Sequence, residues 1–142
     1  MIDLSPLYKY AVSGADAASL VDRIITHDAA AMSAGQVVYT PWCDPSGMVR
    51  QEGTVFRYEE DRFEIYAAEP AFEWIRRNAV GYQAEVTDRS AEVAMLSLQG
   101  PHSRAVLDAA TDGAIGGLEF FRCTRTRIAG VDLAVSRTGF TG

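Results

Sequence analysis

The sequence predicts an α+β fold, with antiparallel sheets and helices segregated from the strands. Three observations lead there. Strands come in pairs across short turns, at Asp44-Pro45-Ser46-Gly47 and at Ala129-Gly130. Only three segments carry a helical period. The resulting order, β-α-β-β-β-α-β-β-α-β-β, is dominated by hairpins instead of alternating strand with helix, which argues against a doubly wound parallel sheet.

Taken in order, the first extended segment is KYAV, ending at Val12, and Ser13-Gly14 is a turn. Asp16 stands where a helix cap belongs, with Ser13 as the competing candidate. From Ala17 on, Leu20, Val21, Ile24 and Ile25 share one helical face and Asp22 and Arg23 the other. The helix should end near Thr26-His27-Asp28. Gly35 to Arg57 then reads as two strands joined by a turn in which Asp closes an Asx-turn, Pro fixes φ and Gly takes positive φ. Arg62–Ala67 alternates Phe63, Ile65 and Ala67 with Glu64 and Tyr66, the pattern of a strand with one buried and one solvated face.

Glu69-Pro70 should open a second helix, with Pro70 at its first position, Phe72, Ile75 and Ala79 as its buried stripe, and Gly81 as its stop. Tyr82–Thr87 reads as a strand, and Val93–Leu98 as another, apolar enough to lie centrally in a sheet. Pro101 opens a third helix carrying Val106, Leu107 and Ala110. Phe120–Ile128 and Val131–Thr138 make the last hairpin.

The whole chain bounds the function classes. A net charge of −6 argues against broad nucleic-acid binding, which needs a basic face. Arg122, Arg125 and Arg127 form a local basic cluster, read as a solvated sheet face. No run approaches the ~20 apolar residues of a membrane span, and no basic-then-apolar leader opens the chain, so a cytoplasmic setting is expected. Cys43 and Cys123 are read as reduced thiols. A neighbouring Asp44 would not activate Cys43, so a thiol enzyme is set aside. His27 reads as an exposed, helix-terminal residue. No glycine-rich phosphate loop and no paired-histidine metal motif is present.

One stretch breaks its own pattern. The return strand of the first hairpin carries Arg50, Gln51 and Glu52 in a row, where alternation calls for half of them to be apolar. Such local failures concentrate at functional sites, although a solvated strand end produces the same pattern.

Four stretches together resemble the folate-binding domain of the aminomethyltransferase family, the glycine-cleavage T-protein and its relatives. They are Asp3-Leu4-Ser5 with the following KYAVSGADA, YTPWCDPSGMVRQEGTVFR, LSLQGP at Leu96–Pro101, and SRTGFTG at Ser136–Gly142. The combination of LQGP with a later R-x-G-[YF]-T-G is the specific part. The resemblance implies tetrahydrofolate as cofactor, accepting a one-carbon unit. It places the family's essential carboxylate, usually Asp, at Glu52, where it could orient the folate nitrogen and stabilise developing positive charge. The extra methylene of Glu alters its reach.

By the same resemblance Tyr39 lines the folate pocket, Leu7 forms an apolar wall against the pterin where relatives carry Met, and Phe140 replaces a common Tyr. Ala68 stands where the T-protein has Asn, a loss that points away from aminomethyl transfer specifically and toward demethylase-like relatives. Residues 1–142 would then be a partial, central segment of the folate-binding domain, incomplete at both ends. The implied partners are a small-molecule one-carbon donor or a lipoyl carrier protein. A truncated, non-catalytic folate-binding or self-associating module, a homo-oligomer through exposed strand edges, is the alternative. Trp42 and Trp74 are the natural fluorophores for a tetrahydrofolate titration.

Overall fold

The structure is a computed structural model and describes residues 1–111 and 113–139. In chain order its elements are β1 (Ile2–Asp3), β2 (Tyr8–Ser13), α1 (Ala17–Ile24), β3 (Gln36–Cys43), β4 (Val49–Glu59), β5 (Arg62–Ala67), α2 (Phe72–Asn78), β6 (Glu85–Asp88), β7 (Leu96–Ser97), α3 (Ser103–Ala110), β8 (Cys123–Ile128) and β9 (Val131–Ser136). Five strands form one antiparallel sheet in the order β3-β4-β5-β2-β6, while β1 pairs with β7 and β8 with β9 in two-stranded sheets. The expected α+β architecture with segregated helices is the one found.

The first face of the large sheet carries the main core. Tyr10 and Val12 of β2, Val38 and Trp42 of β3, Val55 of β4, and Phe63 and Ile65 of β5 pack against Ala17, Leu20, Val21 and Ile24 of α1 and Ile75 of α2. An eight-residue helix is marginal alone in water, so α1 owes its existence to this stripe. Fully burying each large apolar side chain contributes roughly 1.5–3 kcal/mol. The packing is close enough to dictate a glycine. A Cβ on Gly53 would collide with the Tyr66 carbonyl oxygen and touch the Trp42 ring.

Several elements differ from the sequence reading, each for a local reason. Asp16 does hold the N-cap position of α1, but its side chain makes no capping bond. Its Oδ2 accepts the Gln83 amide at 2.7 Å instead. With Asp16 N also donating to Gln83 O, residues 82–84 dock on the start of α1, and β6 begins only at Glu85. α2 begins at Phe72 and not at Pro70, because the Ala71 amide donates to the Tyr10 hydroxyl at 2.8 Å, a cap supplied by the sheet.

The apolar run 93–98 does not become a central strand. Only Leu96–Ser97 pairs, with the short β1, and Leu96 is exposed. Met95 is occupied in tying down the N-terminal segment: its carbonyl accepts the Leu4 amide and its own amide donates to Ser5 Oγ. The Ala129-Gly130 turn is as read, with both residues at positive φ (50° and 83°), the twist a two-residue hairpin favours.

Candidate functional site

The second face of the large sheet follows from register. Tyr39 on β3 lies opposite Thr54 on β4, Thr54 opposite Tyr66 on β5, and Tyr66 opposite Lys9 on β2. These four side chains form one row across four strands. The next row begins with Pro41 opposite Glu52. Gly53 pairs with Ala67 and Ala67 with Tyr8, where the pairing ends. Leu7 and Ala68 follow as bends just beyond β2 and β5, at the same end of the sheet as Glu52.

The two ends of this face differ. Toward Phe56 and Tyr58 it is covered by the β8–β9 hairpin, where Val37, Phe56, Tyr66 and Cys123 form a small second core with Tyr58, Met95 and Phe121 around it. Toward Tyr39 and Glu52 it is open: Tyr39 is 46% exposed and Glu52 is exposed as well. Leu7 is half-buried at the margin.

The polar triplet resolves into three separate contacts. The Arg50 guanidinium lies over the Trp74 ring at 4.6 Å. Gln51 Nε2 donates to Glu69 O at 2.8 Å. Glu52 lies next to Tyr39, one row along on the neighbouring strand, and its carboxylate raises the Tyr39 phenol pKa. The two residues that the resemblance assigns to the pocket are thus neighbours on one sheet face. The arrangement offers an acceptor carboxylate, two hydroxyls (Tyr39 and Thr54) and an apolar flank from Pro41 and Leu7. Phe140 lies outside the described residues.

Sequence reasoning missed what stands beside this pair. The β5 face read as solvated is covered: Glu64 is 6% and Tyr66 is 9% exposed. The Tyr66 hydroxyl donates to Glu64 Oε2 at 2.7 Å, and Arg89 pairs with Glu64 Oε1 at 3.2 Å. Burial, with the carboxylate and Tyr58 nearby, drives the Tyr66 hydroxyl far above the usual phenol range, and burial pushes Tyr58 up to about 12. Alternation did place Glu64 and Tyr66 on one face. What it lacked was the distant β8–β9 hairpin that covers them.

Two hollows lie elsewhere. One of about 330 Å³ is lined by Arg125, Thr126, Arg127, Asp132 and Leu133, and one of about 280 Å³ by Arg23, Cys43, Asp44, Pro45, Trp74 and Asn78. Neither includes Tyr39, Glu52 or Leu7. Both tryptophans serve the other side of the sheet: Trp42 is fully buried in the helix-covered core, and Trp74 packs against that core from α2. They are poor reporters for a ligand on the open face.

The sequence profile of the GCVT N-terminal domain matches residues 1–142. The chain belongs to that family. An aminomethyltransferase of Moorella thermoacetica is 33% identical over 146 residues, covering all of this chain and 40% of the relative. A probable aminomethyltransferase of Haloarcula marismortui is 33% identical over 149 residues, covering 99% of this chain and 41% of the relative. Among solved structures, the glycine cleavage system aminomethyltransferase T from Bartonella henselae superposes with a TM-score of 0.81 at 25% identity. That match covers 98% of this chain and 38% of the Bartonella protein. The chain thus spans about 40% of the length of the curated relatives it matches.

Proposed function

We propose that residues 1–142 form part of a tetrahydrofolate-binding domain, and that its open sheet face receives the folate in a one-carbon transferase of the aminomethyltransferase kind. The observation that carries this reading is the Tyr39–Glu52 pair at the uncovered end of the face, on a chain of this family. The donor set suits a flat heterocycle with polar edges: a carboxylate and two hydroxyls for nitrogen and N–H groups, and an apolar flank for the ring face. When bound, tetrahydrofolate supplies the nucleophilic nitrogen that accepts the carbon.

Glu52 orients that nitrogen and offsets positive charge building there. Tyr39, next to Glu52, steers the direction in which the carboxylate presents its oxygens. Leu7 excludes water from one side. The one-carbon donor is a small molecule or a lipoyl carrier protein, in a cytoplasmic setting. No helix among the described residues is long and apolar enough to cross a membrane.

A second reading, a non-catalytic folate-binding or self-associating module, draws support from α3. None of its residues is buried, and Val106 is 56% exposed. Tetrahydrofolate titration of wild type and Glu52→Ala separates the two. The transferase reading expects affinity to fall at least about tenfold, the loss of a charge-assisted hydrogen bond, with melting temperature unchanged. Equal affinity in both proteins removes Glu52 from the site, and concentration-dependent dimerisation through α3 without folate affinity establishes the second reading.

A further inference from the structure

Lys9 is among the most buried side chains of the chain, 1% exposed, on the same sheet face as Tyr39, Thr54 and Tyr66. Among the described residues its ammonium forms no ion pair with a carboxylate. Nζ donates to Ser5 O and to Leu7 O, each at 2.8 Å. Burial pulls its pKa down, with Asp3 and Asp88 opposing from a distance. A buried cation is a costly way to fill space, since a methionine of similar length would fill it without the desolvation penalty. What the ammonium adds is direction. Both of its acceptors are carbonyls of the short segment that precedes β2, and one of them belongs to Leu7.

The rest of that segment is arranged around the same point. Leu7 N donates to Leu4 O at 3.0 Å, closing a turn through Pro6. Ser5 N is held by Asp3 Oδ1 at 2.8 Å, and Ser5 Oγ by the Met95 amide at 3.1 Å. Those bonds anchor the outer end of the turn. Lys9 is the contact that anchors the inner end, where Leu7 leads into β2.

We propose that Lys9 is a positioning residue for the ligand face: its ammonium clamps the Leu4–Leu7 turn so that Leu7 stands as a fixed wall at that end of the sheet. This role rests on the tetrahydrofolate reading for its ligand, and on the clamp geometry for itself. Lys9 touches no reacting group and acts only through the backbone it holds.

The test uses the full 142-residue chain, with Lys9→Met to remove the donors and Lys9→Gln to keep two N–H donors without the buried charge. Amide hydrogen exchange reads the clamp and tetrahydrofolate titration reads the wall. In Lys9→Met the Leu7 amide should exchange about tenfold or more faster, as expected for losing two bonds to a charged donor, while Val55 and Ile65 in the core keep their protection. Tetrahydrofolate affinity should fall by a similar factor, with Lys9→Gln in between on both readouts.

Unchanged Leu7 exchange in both variants overturns the clamp. Faster Leu7 exchange with unaltered affinity, in a protein whose Glu52→Ala variant has lost binding, overturns the wall. If wild type binds no tetrahydrofolate, the folate reading and the wall fall together, and the exchange result alone still decides the clamp. If Lys9→Met does not fold, Lys9→Gln carries the same comparison.

Discussion

The two faces of the five-stranded sheet show what burial does and does not decide. The face under α1 and α2 is filled by side chains from every strand, and its central residues Phe63, Ile65, Val55 and Val12 are wholly inaccessible. The other face is built on the same strands, one residue out of phase. Where the β8–β9 hairpin covers it, it carries the small second core, and at its other end it carries the exposed Tyr39 and Glu52 with the half-buried Thr54. One face is specified by packing. The exposed end of the other is less constrained by packing among the described residues.

Truncations should divide along that line. Phe63→Ala, on the helix-covered face, should cost about 3–5 kcal/mol by chemical denaturation, the transfer loss plus a cavity. Tyr39→Ala and Thr54→Ala should stay within about 1 kcal/mol of wild type. Comparable losses on both faces would mean that the open end is core after all. A smaller effect is expected at the seam. Gly53→Ala pushes a methyl against the Tyr66 backbone and the Trp42 ring and should cost roughly 1–3 kcal/mol, as overpacking does. A neutral result would show that β4 and β5 are more loosely apposed than the register implies.

Alkali probes the covered end of the second face. Tyr58 and Tyr66 hold their protons in the fold above the phenol value of about 10 that they regain when unfolded. Their contribution is therefore fully present below pH about 10 and lost as pH rises toward and through about 12, where Tyr58 ionises. Absorbance titration should show the exposed tyrosines ionising first and a late phase that coincides with unfolding. A single early transition for all tyrosines would mean that the hairpin does not cover that end. Thiol labelling gives the mildest readout. Cys123, 8% exposed and pushed up to about 11 by burial, should react much more slowly in native protein than the half-buried Cys43.

Most of the fold was legible because hairpins and helices are written locally. Asp44-Pro45-Ser46-Gly47 turns as read, with Asp44 Oδ1 accepting from both the Ser46 and Met48 amides. The α1 stripe is buried as its period implies. The failures are all long-range. Tyr10 caps α2 across 61 residues, Gln83 takes the Asp16 carboxylate across 67, and Met95 anchors the N-terminal turn. No window of sequence contains both partners of such contacts.

The site shows the same division. The odd polar run drew attention to Arg50, Gln51 and Glu52, and the family resemblance singled out Glu52 with Tyr39 and Leu7. Glu64 and Tyr66 stayed hidden because alternation marks them as solvated; the β8–β9 hairpin and Arg89 help bury them, and Lys9 is buried against the Leu4–Leu7 turn. Those three define the limits of the open face.

The most direct test of the account is a tetrahydrofolate titration of the labelled chain followed residue by residue by amide NMR. Saturable shifts should cluster on Leu7, Tyr39, Glu52 and Thr54, leave the helix-covered Val12 and Ile75 unmoved, and vanish in Glu52→Gln. Shifts centred instead on Arg125–Leu133 or on Trp74, or no saturable response in wild type, would contradict it.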